Sequence, residues 1–264
     1  MWSRSSRLTS TRTPAKGSSL TMREMLAGIG RVTLQLSNLC PWADKHPKCP
    51  VGRYEQKQIL PGGVVMDVLE CLSRDWKEDK QILAWHTYNE PLADPRLVWF
   101  MEEAKLLLPN AVQLVWTNGW NLTPGLALEL VDHGMGWLVI SNHGAVKGSF
   151  NEIAKVVADR GCRFGLTLHP HDGRAEWDDP DLASETACFA LRTDLLIRAS
   201  GHIGLCCMDC WEKQQFASVV DLGFREAMEQ SWPERLRLRK ELLAGKKTLE
   251  VCKNCQQCRR GKYA

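Results

Sequence analysis

RVTLQLSNLCPWADKHPKCP, residues 31 to 50, is the stretch on which the fold turns. Its first seven residues, Arg31 to Ser37, read as a buried strand, rich in β-branched and aliphatic side chains. The remainder can neither continue a strand nor start a long helix. Pro41, Pro47 and Pro50 punctuate it, and between them lie Cys40, His46 and Cys49. Two cysteines and a histidine in a loop at the end of a strand are either a metal site or an accident of composition, and the rest of the chain has to choose.

Outward from this stretch, apolar runs recur at ILAWHT (82–87), VQLVW (112–116), GWLVIS (136–141) and RFGLTL (163–168). Segments of helical length and spacing separate them, at 63–76, 95–108, 123–133 and 149–160, with Pro95 and Pro124 at first-turn positions. Strands alternating with helices imply βαβ units and a parallel sheet, hence an α/β fold. Periodicity does not separate a barrel from an open doubly wound sheet. Past about residue 175 the pattern changes: Leu195 to Leu205 reads as two short strands around a Ser-Gly turn, and helices are expected at 222–230 and 233–244. We expect three regions: a disordered basic tail over 1–24, a βα body over 25–180, and a small cysteine-rich module over 181–264.

The net charge of +3 misleads about partners. Arg4, Arg7, Arg12 and Lys16 lie in an acid-free start; without those four of the 34 basic residues, the body balances its 31 acidic ones. A nucleic-acid-binding stripe is therefore not expected. The start lacks the apolar stretch of a secretory signal, and no run reaches membrane-spanning length, so no membrane association is expected. An organelle-targeting segment and a start at Met22 stay open beside the reading as a tail. Eleven cysteines, an odd number with six in two tight groups, argue against a secreted disulfide framework. Thiolate ligands in a reducing, cytoplasmic setting fit better.

Chemistry in parallel α/β proteins collects at the C-terminal ends of the strands. Here the first strand runs into the Cys40–Cys49 loop, the second into Tyr88-Asn-Glu-Pro-Leu, the third into Thr117-Asn-Gly, and the fourth into Ser141-Asn-His. In this order the motifs resemble the core of radical S-adenosylmethionine (SAM) enzymes, whose cysteine loop holds a 4Fe-4S cluster. The resemblance implies a partial (βα) barrel. It also implies SAM held by Tyr88, Asn89, Glu90, Thr117, Asn118, Ser141 and Asn142, with Glu90 accepting from the methionyl ammonium. Arg174, in the HPHDGR stretch after the fifth strand, is a candidate partner for a carboxylate; a plain polar loop is the other reading of that stretch.

The chain departs from the family's three-cysteine loop, Cys-x3-Cys-x2-Cys, since only Cys40 and Cys49 are present. The loop can be written Cys40-x5-His46-x2-Cys49, with imidazole in place of a thiolate. Histidine ligates cluster iron elsewhere, and a neutral ligand raises the reduction potential, which works against reductive cleavage of SAM. Two other readings stand: a distant thiol such as Cys71 or Cys162 as third ligand, or a degenerate site that keeps the fold alone.

The second half supports the same resemblance. Cys188-x12-Gly201-x4-Cys206, then after a gap Cys252-x2-Cys255, is similar to the SPASM and twitch extensions of that family, which hold an auxiliary cluster. This implies Cys188, Cys206, Cys252 and Cys255 as ligands of a second 4Fe-4S cluster. Cys207 is an alternative to Cys206, Cys258 is a further candidate, Cys210 is spare, and a zinc site competes for the same cysteines. Further implied partners are a peptide or small-molecule substrate and a reductant such as flavodoxin or ferredoxin. The eleven tryptophans read as packing or as an aromatic pocket.

Overall fold

Eight strands in the order β5-β4-β3-β2-β1-β6-β7-β8 make one open sheet in the computed structural model, which describes residues 20–45, 49–142, 149–168, 188, 190–253 and 255. β1 (Arg31–Leu34), β2 (Ile82–Ala84), β3 (Val112–Thr117), β4 (Met135–Asn142), β5 (Arg163–Leu168) and β6 (Asp194–Ile197) pair in parallel. β7 (His202–Gly204) and β8 (Gln215–Ser218) add antiparallel strands at one edge. The five expected strands of the first half are all present, and β5 and β8 are left as separate edges. The fold is thus an open, partial βα arrangement and not a closed barrel.

Helices α2 (Gly62–Asp75), α3 (Leu97–Leu107), α4 (Pro124–Asp132) and α5 (Phe150–Asp159) make the crossovers between the parallel strands. α4 shows why its sequence starts a helix there: Pro124 occupies the first turn, and the Thr123 hydroxyl accepts from Leu126 N at 3.1 Å. The period of two along β3 and β4 sorts their side chains onto two faces. Val115, Leu138 and Ile140 join Val65, Phe100, Ala127 and Ile153 in the helix-covered core. Leu114 and Val139 turn to the opposite face with Ala84, against Trp116 and Trp137. Each fully buried aliphatic side chain of the first set contributes roughly 1.5–3 kcal/mol.

The structure corrects the sequence reading at four places. Within the segment expected to be disordered to residue 24, Thr21 caps α1 (Met22–Leu26) in a reciprocal capping box with Glu24, and Met22 and Met25 are buried. The cysteine-rich segment is continuous with the body's sheet: β6 pairs with β1 over four residues, and Arg31 forms an ion pair with Asp194. The two helices expected around Pro233 are one, α8 (Phe224–Leu243), preceded by the short α7 (Val219–Leu222). Proline inside a helix costs about 3 kcal/mol. Burial of Trp232, Leu238 and Leu242 offsets it. β8 was not expected, because Gln215-Phe-Ala-Ser alternates over too few residues to signal a strand. Two further short helices, α6 (Ala190–Thr193) and α9 (Glu250–Lys253), flank this half. Among the described residues no helix is long and apolar enough to cross a membrane.

Candidate functional site

The C-terminal ends of β1, β2 and β3 are laced together by backbone and side-chain hydrogen bonds. After β1, the buried Asn38 clasps the neck of the cysteine loop: its Nδ2 donates to Gln56 O at 2.9 Å, and its Oδ1 accepts from Gln58 N at 2.8 Å. Glu90 N donates to Leu39 O at 2.8 Å, so the motif after β2 is fixed directly beside Cys40. Asn118, after β3, closes the triangle, with Nδ2 donating to Cys40 Sγ at 3.5 Å. Three segments far apart in sequence thus meet around Cys40, one of them bonding its thiol.

Glu90 is the hub of this rim. It is 1% exposed, and its carboxylate accepts from Thr117 Oγ1 at 2.6 Å, Asn118 N at 2.8 Å and Leu92 N at 3.0 Å. Burial pushes its pKa up to about 7, against these three bonds, which pull it down. A carboxylate offers about four lone-pair positions, so one remains for a further donor. An ammonium group satisfies both needs at once: it fills that position and stabilises the ionised form. The Thr117 hydroxyl also accepts from Gly119 N at 2.9 Å, and Gly119 has φ +83°, which glycine adopts freely.

Other expected residues gather at the same edge. Tyr88 is buried, its hydroxyl donating to Cys207 O at 2.5 Å and its carbonyl accepting from Gln35 Nε2 at 2.9 Å. Asn89 Oδ1 accepts from Thr87 N at 2.8 Å, while among the described residues its buried Nδ2 has no partner, nor have Gln35 Oε1 and Thr87 Oγ1. Buried polar atoms are nearly always satisfied. Three orphans on one rim, beside Cys40, Cys49 and Glu90, fit a polar cofactor. The Ser141 hydroxyl accepts from Trp116 Nε1 at 2.6 Å, and Asn142 ends β4. Burial pushes the Cys40 thiol up to about 12. His46 and Arg174 lie outside the described residues. The alternative thiols do not reach the rim: Cys162 precedes β5, at the opposite end of the parallel sheet, and Cys71 accepts from Arg74 at 3.2 Å within α2.

A second assembly lies on the other side of the Cys206–Cys210 turn. Cys188, Cys206, Cys252 and Cys255 line one cavity together with Leu191, Leu205 and Leu242. Burial, and then the fields of Cys188 and Cys255, push the Cys252 thiol up to about 12; burial and Cys207 raise Cys206, with Cys255 contributing. Met208 N donates to Cys206 Sγ at 3.4 Å. Cys207 is exposed, so of the adjacent pair it is Cys206 that faces the cavity. Among the described residues no three side chains converge on a single ion-binding point. A cluster spreads its thiolates over separate irons, whereas zinc draws sulfurs to about 2.3 Å of one centre. Four thiols around an apolar cavity are a donor set that either a cluster or zinc could use. Cys258 lies outside the described residues.

Sequence reasoning missed residues whose roles depend on distant contacts. Asp94 and Arg96, just after the Asn-Glu-Pro-Leu stretch, pair at 2.7 Å, and Arg96 also donates to Leu60 O at 3.0 Å and Leu36 O at 3.3 Å, holding both ends of the cysteine loop. Arg198, 1% exposed, donates through Nη2 to Cys206 O at 2.9 Å and Asp209 O at 2.7 Å. Among the described residues Trp76, Trp85 and Trp232 are buried, Trp85 with its N–H on Gln113 Oε1 at 3.0 Å, while Trp99 and Trp211 are exposed.

A rim at the C-terminal ends of parallel strands, backed by a separate four-thiol cavity on an open sheet, defines a partial-barrel α/β fold. Solved structures carry the same fold. A crystal structure of BtrN in complex with AdoMet and 2-DOIA matches at 17% identity and TM-score 0.70, covering 86% of this chain and 92% of that one. Native anSMEcpe with bound AdoMet matches at 12% identity and TM-score 0.53, covering 87% of each. The form of anSMEcpe with AdoMet and the Cp18Cys peptide matches at 13% identity and TM-score 0.51, covering 86% of each. No family model and no curated protein matches the chain.

Proposed function

We propose that the chain is a radical SAM enzyme, acting on a peptide or natural-product substrate. The observation that carries this reading is the convergence of Cys40, Glu90 and Asn118 at 3.5 Å and 2.8 Å on the strand-end rim, in a fold shared with AdoMet-bound proteins. When bound, a cluster with SAM would supply radical chemistry for hydrogen abstraction from substrate. The chain's own residues bind and orient. Glu90 receives the methionyl ammonium at its remaining acceptor position; Asn89 and Gln35 offer an unused donor and an unused acceptor beside it. Tyr88 anchors this edge to Cys207 and so to the cysteine-rich half, keeping the rim and the cavity in fixed relation. Asn118 steadies Cys40 through its N–H···S contact. Cys188, Cys206, Cys252 and Cys255 hold the auxiliary cluster, and a small reductant such as flavodoxin or ferredoxin supplies electrons.

The test is anaerobic reconstitution of the full chain with iron and sulfide, then incubation with SAM and dithionite. The reading expects about eight irons, two cubes of four, and release of 5′-deoxyadenosine. About four irons, all lost with Cys252 and Cys255, and no nucleoside release would leave instead a binding protein that keeps only the C-terminal cluster. Colourless protein that holds zinc would reject both.

A further inference from the structure

A buried cation with no anion among the described residues lies on the open face of the sheet, opposite the helices. β1 and β6 pair through Thr33 and Leu196, and the ladder continues past both strands: Gln35 N donates to Ile197 O at 2.9 Å, and Arg198 N donates to His202 O at 3.0 Å. Side chains alternate between faces along such a ladder. Leu195 and Ile197 enter the helix-covered core, so Leu196 and Arg198 turn to the other face, on which Ala84, Leu114 and Val139 pack. Thr33, opposite both Ala84 and Leu196, belongs to that face, and Gln35 two residues on shares it.

Arg198 is 1% exposed. Its Nη2 holds the turn between β7 and β8, donating to Cys206 O at 2.9 Å and Asp209 O at 2.7 Å, while Nε and Nη1 are buried with no partner among the described residues. The Asp209 carboxylate is engaged elsewhere, accepting from Lys213 N and Gln214 N at 2.9 Å each. Gly204, on β7, leaves room for the guanidinium: a Cβ there would stand 3.0 Å from Nε. The Tyr88 ring flanks it from the rim, its centre 5.7 Å from the guanidinium carbon. The same turn is anchored to the front loop, since the Tyr54 hydroxyl donates to Cys210 O at 2.8 Å. Gln35 Oε1 is a further buried atom on this face with no partner among the described residues. Buried polar atoms are nearly always satisfied, and an unpaired buried charge is costly. Open donors on a fixed, buried guanidinium mark a place that an anionic ligand completes.

We infer that Arg198 binds a carboxylate of the substrate, which is therefore an organic acid whose apolar part extends over Ala84 toward Leu114 and Val139. The inference rests on the radical SAM reading of the rim and names a substrate class for it. A carboxylate brings the single negative charge that one guanidinium balances, whereas a dianion such as phosphate would bring a second buried charge to be offset. The carboxylate of SAM is fixed elsewhere by its own structure. It shares a carbon with the ammonium that Glu90 receives, and Glu90 is bonded to Thr117 at the end of β3. Arg198 follows β6, three strands over, about 14 Å away at ordinary strand spacing. The rear cavity lies on the other side of the sheet, since Leu191, Leu205, Leu242 and Cys252, which line it, belong to the helix-covered core.

Isothermal calorimetry tests this on reconstituted full-length wild type and Arg198→Gln, with SAM present, using phenylbutyrate, its neutral amide and phenylbutyl phosphate as probes. Wild type should bind the acid at least about tenfold more tightly than the amide, the effect of one hydrogen bond to a charged group, and the phosphate no better than the acid. Arg198→Gln, with the iron content of wild type as the sign that it folds, should bind acid and amide alike. If that variant loses its iron, a crystal structure of wild type with phenylbutyrate decides: a carboxylate oxygen should lie within hydrogen-bond reach of Arg198 Nε or Nη1. Equal binding of acid and amide by wild type, binding of neither, tighter binding of the phosphate, a preference for the acid that survives in Arg198→Gln, or a carboxylate seated elsewhere in the crystal overturns the assignment. Release of 5′-deoxyadenosine is followed separately, and its absence with acid binding intact rejects the radical reading while leaving the anion site in place.

Discussion

Glu90→Gln tests the rim through proton linkage, without any cofactor. In the folded chain burial holds the Glu90 pKa near 7, against an ordinary value of 4.5. Between these limits the folded state keeps a proton that the unfolded state has released, so Glu90's contribution is fully present below pH 4.5 and is lost as pH rises through about 7. A shift of that size, at about 1.4 kcal/mol per unit, amounts to roughly 3 kcal/mol. Glutamine does not titrate, so the variant lacks this component. It also puts an amide NH2 against one of the backbone N–H groups of Leu92 or Asn118, a pH-independent loss of about 1–3 kcal/mol. Urea denaturation of cluster-free protein at pH 5 and pH 8 separates the two effects. The stability difference between wild type and variant should move by about 2–3 kcal/mol in the variant's favour on going to pH 8. A difference that is the same at both pH values refutes the buried, proton-holding carboxylate.

Three further substitutions probe neighbouring parts. Thr117→Val removes the hydroxyl that holds the Glu90 pKa down and orphans Gly119 N, so the Glu90 titration should move upward and stability should fall by about 1–3 kcal/mol in denaturant titrations. Gly201→Ala forces a side chain onto φ +86° and drives its Cβ into Val220 Cγ2. Left-handed backbone alone costs about 1–2 kcal/mol, so the urea midpoint should drop and the rear cavity should hold less iron. Cys252→Ala combined with Cys255→Ala should remove about four irons while leaving a SAM-sensitive resonance signal, as read by metal analysis and spectroscopy.

The elements that the sequence made legible are those with local signatures. β3, β4 and β5 are long apolar runs, and Thr123-Pro124 announces α4 by its own chemistry. The motif order at the strand ends was legible for the same reason, as each motif is contiguous. Features made by distant contacts were not. Nothing local says that Pro233 sits inside a helix, because packing of Trp232 and Leu238 overrides the break. The choice between Cys206 and Cys207 needs the cavity to settle which one faces inward. Glu90's partners, Thr117 and Asn118, are 27 and 28 residues away. Arg198 and Cys210 reach the front loop only because β6 docks on β1, a pairing between residues about 160 apart.

The central claim is that the strand-end rim carries a cluster open to SAM. Electron paramagnetic resonance of the reduced, Cys252→Ala/Cys255→Ala protein isolates that site and tests it most directly. The account predicts an iron-sulfur signal whose shape changes on adding SAM. A silent spectrum, or one indifferent to SAM, would contradict it.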